Sequence, residues 1–195
     1  MGKSMWKISG GITMKEIMSR RSIRKFKSTP VPEEKIMAVL EAARLAPSGN
    51  NSQPWRFLVI TDEEVKKRIV EVDHNQQWMM DAPVFIVGMA DLSARTGLAE
   101  AEPLLENNPS FELKRVIRDT AVAIEHILLE CEAEGLGTCW TGWYEQAPMH
   151  NVLDSLGVPN EFFILGVIAV GYADEEPKQR PRKAMNEIVR FGKWI

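Results

Sequence analysis

The chain has 195 residues, 45% of them hydrophobic and 26% charged, with a formal net charge of -3. That size and balance fit one soluble globular domain with a substantial core, and so small a charge provides no field toward nucleic acid or an anionic membrane. No apolar run approaches the ~20 residues that cross a bilayer, and the two cysteines, Cys131 and Cys139, make no disulfide framework, so residence in the cytoplasm is expected.

Residues 1–13 read as a loosely held leader jointed at Gly10-Gly11, and Met14 to Ser19 as a short helix with Ile17 and Met18 facing inward. Arg20 to Lys27 then holds five cations in eight residues, interrupted by Ser22, Ile23 and Phe26. Such a run is either a solvated face or a phosphate clamp, since Arg presents a fork of donors that matches phosphate oxygens and Ser22 adds a hydroxyl. Pro30-Val31-Pro32-Glu33-Glu34 starts a helix, with Pro in the first turn and acids at the positive end of the dipole. Ile36, Val39, Leu40 and Ala43 give it one buried stripe. Pro47 stops it, because the residue before a proline avoids the helical region.

Between Pro47 and Pro54 lie Ser48, Gly49, Asn50, Asn51, Ser52 and Gln53, rich in hydroxyls and amides. This is either an ordinary helix-to-strand connection or a set of neutral donors and acceptors for a flat, polar-edged ligand. Phe57 to Ile60 follows as a strand. Thr61-Asp62-Glu63-Glu64 reads as a capping box closed by Glu64, with Val65, Ile69 and Val72 on the inner side of the helix it opens. Asp73 to Asp81 is a polar connection, and Pro83 to Ala90 is apolar on both faces, as in a central strand covered by helices.

Leu92 to Leu113, with Gly97, Pro103 and Pro109, reads as an excursion outside the core. A long helix from about Val116 to Glu134 carries Ile117, Ala121, Ile124 and Leu128 in register, and Val122, Ile127 and Leu129 on its other side. It is too apolar for a surface helix, so it belongs in the core or in a subunit interface. Gly135-Leu136-Gly137 ends it. Thr138 to Gly142 is a strand running into a Gly turn, and Ala147 to Leu156 is a helix closed by Gly157. Phe162 to Tyr172 is the last core strand, and Ile188 to Ile195 an extended tail. With no repeat or linker, residues 1–195 are expected to form a single domain.

His74, His126 and His150 stand at no metal-ligand spacing with Cys or acids, so no metal site is expected. Cys131 and Cys139 read as buried small hydrophobes. No nucleophile elbow, phosphate-binding Gly-Lys loop or dinucleotide fingerprint occurs. A flavin fits what remains. Its phosphate needs cations, available from Arg20, Arg24, Arg180 and Arg182. Its pyrimidine edge needs amides and hydroxyls such as Ser48, Asn51 and Asn75. Its N5 atom needs a backbone N–H with nothing blocking the approach, which Thr141-Gly142 offers.

Three strings stand in order: Arg20-Arg21-Ser22-Ile23-Arg24-Lys25-Phe26, then Pro47-Ser48-Gly49-Asn50-Asn51-Ser52-Gln53-Pro54-Trp55, then Gly135-Leu136-Gly137-Thr138-Cys139-Trp140-Thr141-Gly142. Together they resemble the RRSxR-F, PSxxNSQPW and GLGxCWxG segments of the FMN-dependent nitroreductase family, and the resemblance covers nearly the whole chain from Met14 onward. It implies an α+β, three-layer sandwich with a central mixed sheet flanked by helices, and FMN at a homodimer interface.

By that resemblance Arg20, Ser22 and Arg24 hold the phosphate, ribityl chain or pyrimidine edge, with Arg21 acting chiefly through its backbone. Pro47, Ser48, Gly49 and Asn51 reach the FMN held mainly by the partner subunit. Thr141 and Gly142 meet N5. The C-terminal cations fit the family pattern as Arg180-Pro181-Arg182 or as Lys178-Gln179-Arg180. One departure is Trp78, which stands where some members carry a Lys, leaving Arg24 alone at the N1 edge.

The implied activity is ping-pong transfer of a hydride from NADH or NADPH, through N5, to a nitroaromatic, quinone or other flat small-molecule acceptor, with no catalytic acid or nucleophile from the protein. Trp140, Trp143 and Phe111 are either core or stacking residues, and the 92–113 insertion is expected over the substrate channel. Relatives of this fold also carry out reductive dehalogenation, flavin destruction or enoate reduction, and a non-catalytic FMN binder is a further alternative. Nucleic-acid binding through Arg20 to Lys27 is not expected, because no aromatic platform accompanies that isolated stretch.

Overall fold

Two strands buried on both faces fix the architecture of the computed structural model, which describes residues 14–96, 111–142 and 144–193, without the side chains of Thr96 and Phe111. In chain order the elements are α1 (Lys15–Ser19), α2 (Glu33–Arg44), β1 (Trp55–Ile60), α3 (Glu63–Val72), β2 (Val84–Asp91), α4 (Ser93–Thr96), α5 (Phe111–Ala133), β3 (Gly137–Thr141), α6 (Gln146–Leu153), β4 (Phe162–Gly171) and α7 (Met185–Ile188). The sheet runs β1-β2-β4-β3 with every ladder antiparallel. An isolated parallel bridge between Ser22 and Thr138 makes it mixed.

Side chains alternate across a pleated strand, and here both faces are apolar. Val84, Ile86, Ile168 and Val170 pack with α2 and α5 through Val39, Ala43, Ile124 and Ile127. Phe85, Val87, Val167 and Ala169 pack on the opposite face with Ile69 and Val70 of α3 and Met149 and Leu153 of α6. Helices on both sides of one sheet give the expected α+β sandwich of three layers. Gly88 pairs with Gly166, but its neighbour Met89 pairs with Ile164, so Leu165 is bulged out. The bulge returns Ile164 to the α3/α6 face.

Several expectations change. Ile17 and Met18 are exposed, because α1 has only five residues and buries none of them. The cap of α3 is Asp62, whose Oδ1 accepts the Val65 N–H at 2.9 Å, rather than a box beginning at Thr61. The inner side of α3 includes Lys66, whose Nζ donates to the Ala82 carbonyl at 2.9 Å and pairs with Glu63 at 2.8 Å. The buried face of α5 runs through Val116, Ala123, Ile124, Ile127 and Cys131, leaving Ile117 and Ala121 only half-buried. Asp73 to Asp81 contains a 3-10 turn at Gln77–Asp81. Ile188 is the last residue of α7 rather than the first of the tail, and extended backbone begins at Val189. The first turn of α7 is closed by the Ala184 N–H donating to Glu187 Oε2 at 2.7 Å. The expected leader and most of the excursion, residues 97–110, lie outside the described residues. Among the described residues no helix is long and apolar enough to cross a membrane.

The two glycines that face each other across β2 and β4 differ in what surrounds them. A Cβ at Gly166 would collide with Trp140 Nε1 and lie 2.7 Å from the Thr141 carbonyl oxygen, whereas one at Gly88 would first meet the end of the flexible Ile124 side chain at 2.8 Å. Gly166→Ala is expected to cost more than about 2 kcal/mol and Gly88→Ala less, as overpacking against backbone costs more than displacing a rotamer. Urea unfolding of the two variants checks the order.

Candidate functional site

The basic stretch is set against the outer edge of β3. Ile23 N–H donates to the Thr138 carbonyl at 2.9 Å, Lys27 N–H to that of Tyr172 at 2.9 Å, and Asp174 N–H to that of Lys25 at 2.9 Å. This seam carries Arg20–Arg24 past the chain that leaves β4. The result is one cavity of about 240 Å³ lined by Arg20, Arg21, Ser22, Arg24, Pro177, Lys178, Arg180 and Arg182. Both candidate C-terminal registers therefore contribute, since Lys178 and Arg182 line the same cavity. Arg21 Nη1 is occupied by the carbonyls of Met18, Ser19 and Arg20 at 2.8, 3.0 and 2.8 Å. Those are orphan acceptors at the end of α1, so the charge of Arg21 serves the helix as well as the cavity.

Thr141 ends β3 nearby. Its hydroxyl donates to Asp73 Oδ2 at 2.6 Å and accepts from Gln76 Nε2 at 2.9 Å. Gln76 Oε1 accepts from Trp78 Nε1 at 3.1 Å, and the Arg24 guanidinium lies 5.7 Å from the centre of the Trp78 ring. The Trp78 ring thus offers a surface on which the Arg24 guanidinium rests. Asn75 sits at φ 56° and its Oδ1 accepts from Gln77 Nε2. A Cβ at Gly142 would come within 3.3 Å of the Leu165 carbonyl oxygen, so the chain is closely packed where a backbone donor is expected. Trp140 is the exposed residue of β3, and Trp143 and the Phe111 side chain lie outside the described residues.

The polar turn is fastened elsewhere: Pro47, Ser48, Gly49 and Asn51 do not line the basic cavity. Three of its residues, Asn50, Asn51 and Gln53, have φ of 56°, 55° and 46°, a region costly for side chains other than glycine. Ser48 Oγ accepts the Gln53 N–H at 2.9 Å. The strain is held by Arg95, a buried cation beyond β2 that the sequence reading missed. Arg95 Nη1 donates to the Gly49 carbonyl at 2.9 Å, its Nε pairs with Glu112 at 3.0 Å, and Asp119 lies 3.5 Å from Nη1 while accepting the Gly49 N–H at 3.1 Å. Arg95 holds the Glu112 carboxyl below the usual range, with Arg115 adding to it. No local pattern marks Arg95, since its partners lie in two other elements.

Both cysteines are buried and free. Burial pushes Cys131 up to about 12, with Glu130 and Glu134 adding to it. Burial also raises Cys139, but Arg24, a hydrogen bond with Ser22 and Arg20 pull it back, because it lies beneath the basic cavity. Among the described residues no group of three His, Cys, Asp or Glu could hold a metal ion.

The chain matches the family model described as the Nitroreductase family over residues 17–172. It is 30% identical over 191 residues to an NADH dehydrogenase of Thermus thermophilus, covering 88% of this chain and 92% of that one. Over 173 residues it is 28% identical to an FMN reductase (NAD(P)H) of Bacillus subtilis, covering 87% of this chain and 69% of that one. Its fold superposes on the hypothetical oxidoreductase YcnD of Bacillus subtilis with a TM-score of 0.80 at 25% identity, covering 93% of this chain and 74% of that one.

Two outcomes are expected from this geometry. Arg95→Ala leaves the Gly49 carbonyl without its side-chain donor and Asp119 and Glu112 without their shared cation, and should lower stability by about 1–3 kcal/mol and speed proteolysis at the Ser48–Gln53 turn. Cys131 is raised on folding, so its contribution is complete below its ordinary value of 9.0 and declines as pH rises toward about 12. The stability difference between the native chain and Cys131→Ala should therefore shift against the native chain by about 1.4 kcal/mol per pH unit across that window, read from urea midpoints.

Proposed function

Because the chain belongs to the nitroreductase family, we propose that it is an FMN-dependent oxidoreductase that takes reducing equivalents from NADH or NADPH and delivers them to a nitroaromatic, quinone or similar flat small molecule in ping-pong order. One observation carries the reading: two stretches far apart in sequence, Arg20–Arg24 and Lys178–Arg182, line a single cationic cavity. When bound, FMN supplies at N5 an atom that accepts a hydride from the nicotinamide and passes it on.

The chain's own residues bind and orient. Arg20, Arg24, Arg180 and Arg182, with Lys178, neutralise the phosphate, and the Ser22 hydroxyl adds a neutral donor. Asn75 serves the polar edge of the ring. Thr141 and Gly142 bring a backbone N–H to N5, and the glycine lets the chain pass close to the Leu165 carbonyl at that point. The turn bearing Pro47, Ser48, Gly49 and Asn51 completes the site from a second copy of the chain. Supporting that homodimer, Met14 at the start of α1, Ile17 and Met18 of α1, Met37 of α2, Leu45 just beyond α2 and Val122 of α5 are all exposed, apolar side chains that pairing would cover. No side chain is assigned as a catalytic acid or nucleophile.

The purified protein is expected to show flavin bands near ~450 nm that bleach on adding NADH or NADPH without oxygen. Arg180→Ala should weaken FMN binding roughly ten- to a hundredfold, the worth of a charge-assisted hydrogen bond. A protein that stays colourless after incubation with FMN sinks the proposal. Flavin bands that persist with both nicotinamides point instead to a flavin-binding protein without this turnover.

A further inference from the structure

Asp73 is fully buried, and its Oδ1 has no hydrogen-bond partner among the described residues. It is also the cap residue at the C-terminal end of α3, where the helix dipole disfavours a negative charge. Burial and position both penalise this carboxylate. Nothing in the packing of α3 against the sheet calls for it.

Its hydrogen bonds run in a fixed direction. Trp78 Nε1 can only donate, so its bond at 3.1 Å requires the Gln76 oxygen to face it. The Gln76 amide nitrogen then donates to Thr141 Oγ1 at 2.9 Å, and the Thr141 hydroxyl donates to Asp73 Oδ2 at 2.6 Å. Every donor points toward the carboxylate, and such chains reinforce one another. The far end of the chain, the Trp78 ring, underlies the Arg24 guanidinium. The near end, Thr141, adjoins Gly142.

We propose that Asp73 is a positioning residue for the flavin ring: its buried charge orders the Thr141–Gln76–Trp78 chain, fixing the backbone donor at Thr141–Gly142 and the place of Arg24. This rests on the FMN reading above. It follows that the Thr141 hydroxyl is committed to Asp73, leaving only backbone N–H groups at that point for a ligand. A buried anion held through Thr141 would also oppose the gain of electrons by a flavin bound there.

The test compares the FMN-loaded native protein with Asp73→Asn and Trp78→Phe. Asp73→Asn keeps the shape and removes the charge. Trp78→Phe keeps a ring beneath Arg24 and removes the donor that orients Gln76. Three quantities are read: FMN Kd by fluorescence titration, the midpoint potential of the bound flavin, and the melting temperature without FMN. Asp73→Asn is expected to move the potential to more positive values and raise Kd about three- to tenfold, and Trp78→Phe to raise Kd by a smaller factor. Melting temperatures without FMN should not fall in step with either change. Native potential and Kd in Asp73→Asn, or a change only in melting temperature, overturn the proposal. Failure of the native protein to bind FMN overturns the functional reading instead, and is seen before any variant is made.

Discussion

The seam between the Ser22–Lys27 segment and the edge of the sheet is the constraint on which the rest of the site depends. An unpaired strand edge is a row of unsatisfied donors and acceptors, and here Ile23 satisfies the Thr138 carbonyl. The approach is close: a Cβ at Gly137 would lie 2.7 Å from Ile23 Cγ1. Once the seam forms, Ile23 and Phe26 enter the core, and the cations between and before them have nowhere to go but outward. The chain leaving β4 is zipped to the same segment through Lys25 and Lys27. The meeting of the two basic stretches is thus a consequence of backbone pairing, not of attraction between them.

That meeting works against the electrostatics of the empty protein. Six cationic side chains line one small cavity, and each like-charged pair at close range costs about 1 kcal/mol even in water. The fold offsets part of this locally. Glu175 Oε1 accepts the N–H groups of Arg24 at 2.5 Å and Lys25 at 3.1 Å, and Arg21 is turned onto the end of α1. An anion placed in the cavity would relieve the remainder, and under the proposed function that anion is a phosphate. The same trade recurs in the polar turn, where three left-handed backbone conformations are held by Arg95 and Asp119. Both places break a local rule and are held by contacts from distant elements, as functional sites often are.

The elements themselves were legible. Pro47, Pro54, Gly135 and Gly157 mark boundaries because their backbone preferences are local, and Pro83 to Ala90 declares its double burial through composition alone. Errors arose where burial depends on neighbours. Ile17 and Met18 look like an inner face, yet α1 is too short to bury them. Lys66 looks like a surface residue, yet the Ala82 carbonyl and Glu63 satisfy its ammonium inside. The long helix was recognised, but it begins at Phe111, inside the expected excursion, and carries Leu113 into the core. Its inward face is also rotated toward Val116 and Cys131, since the angle at which a helix meets a sheet is set by both partners.

By itself the sequence determined the order of elements, the α+β class and the family. These are carried by local backbone chemistry and by strings of adjacent residues. Tertiary structure alone decided that Arg20–Arg24 and Lys178–Arg182 share a cavity, that Arg95 braces the polar turn, and that Asp73 sits at the end of a hydrogen-bonded chain from Trp78. Each of these is a pairing between residues far apart in the chain. Such pairings depend on strand order, register and a bulge at Leu165, and no local preference encodes them.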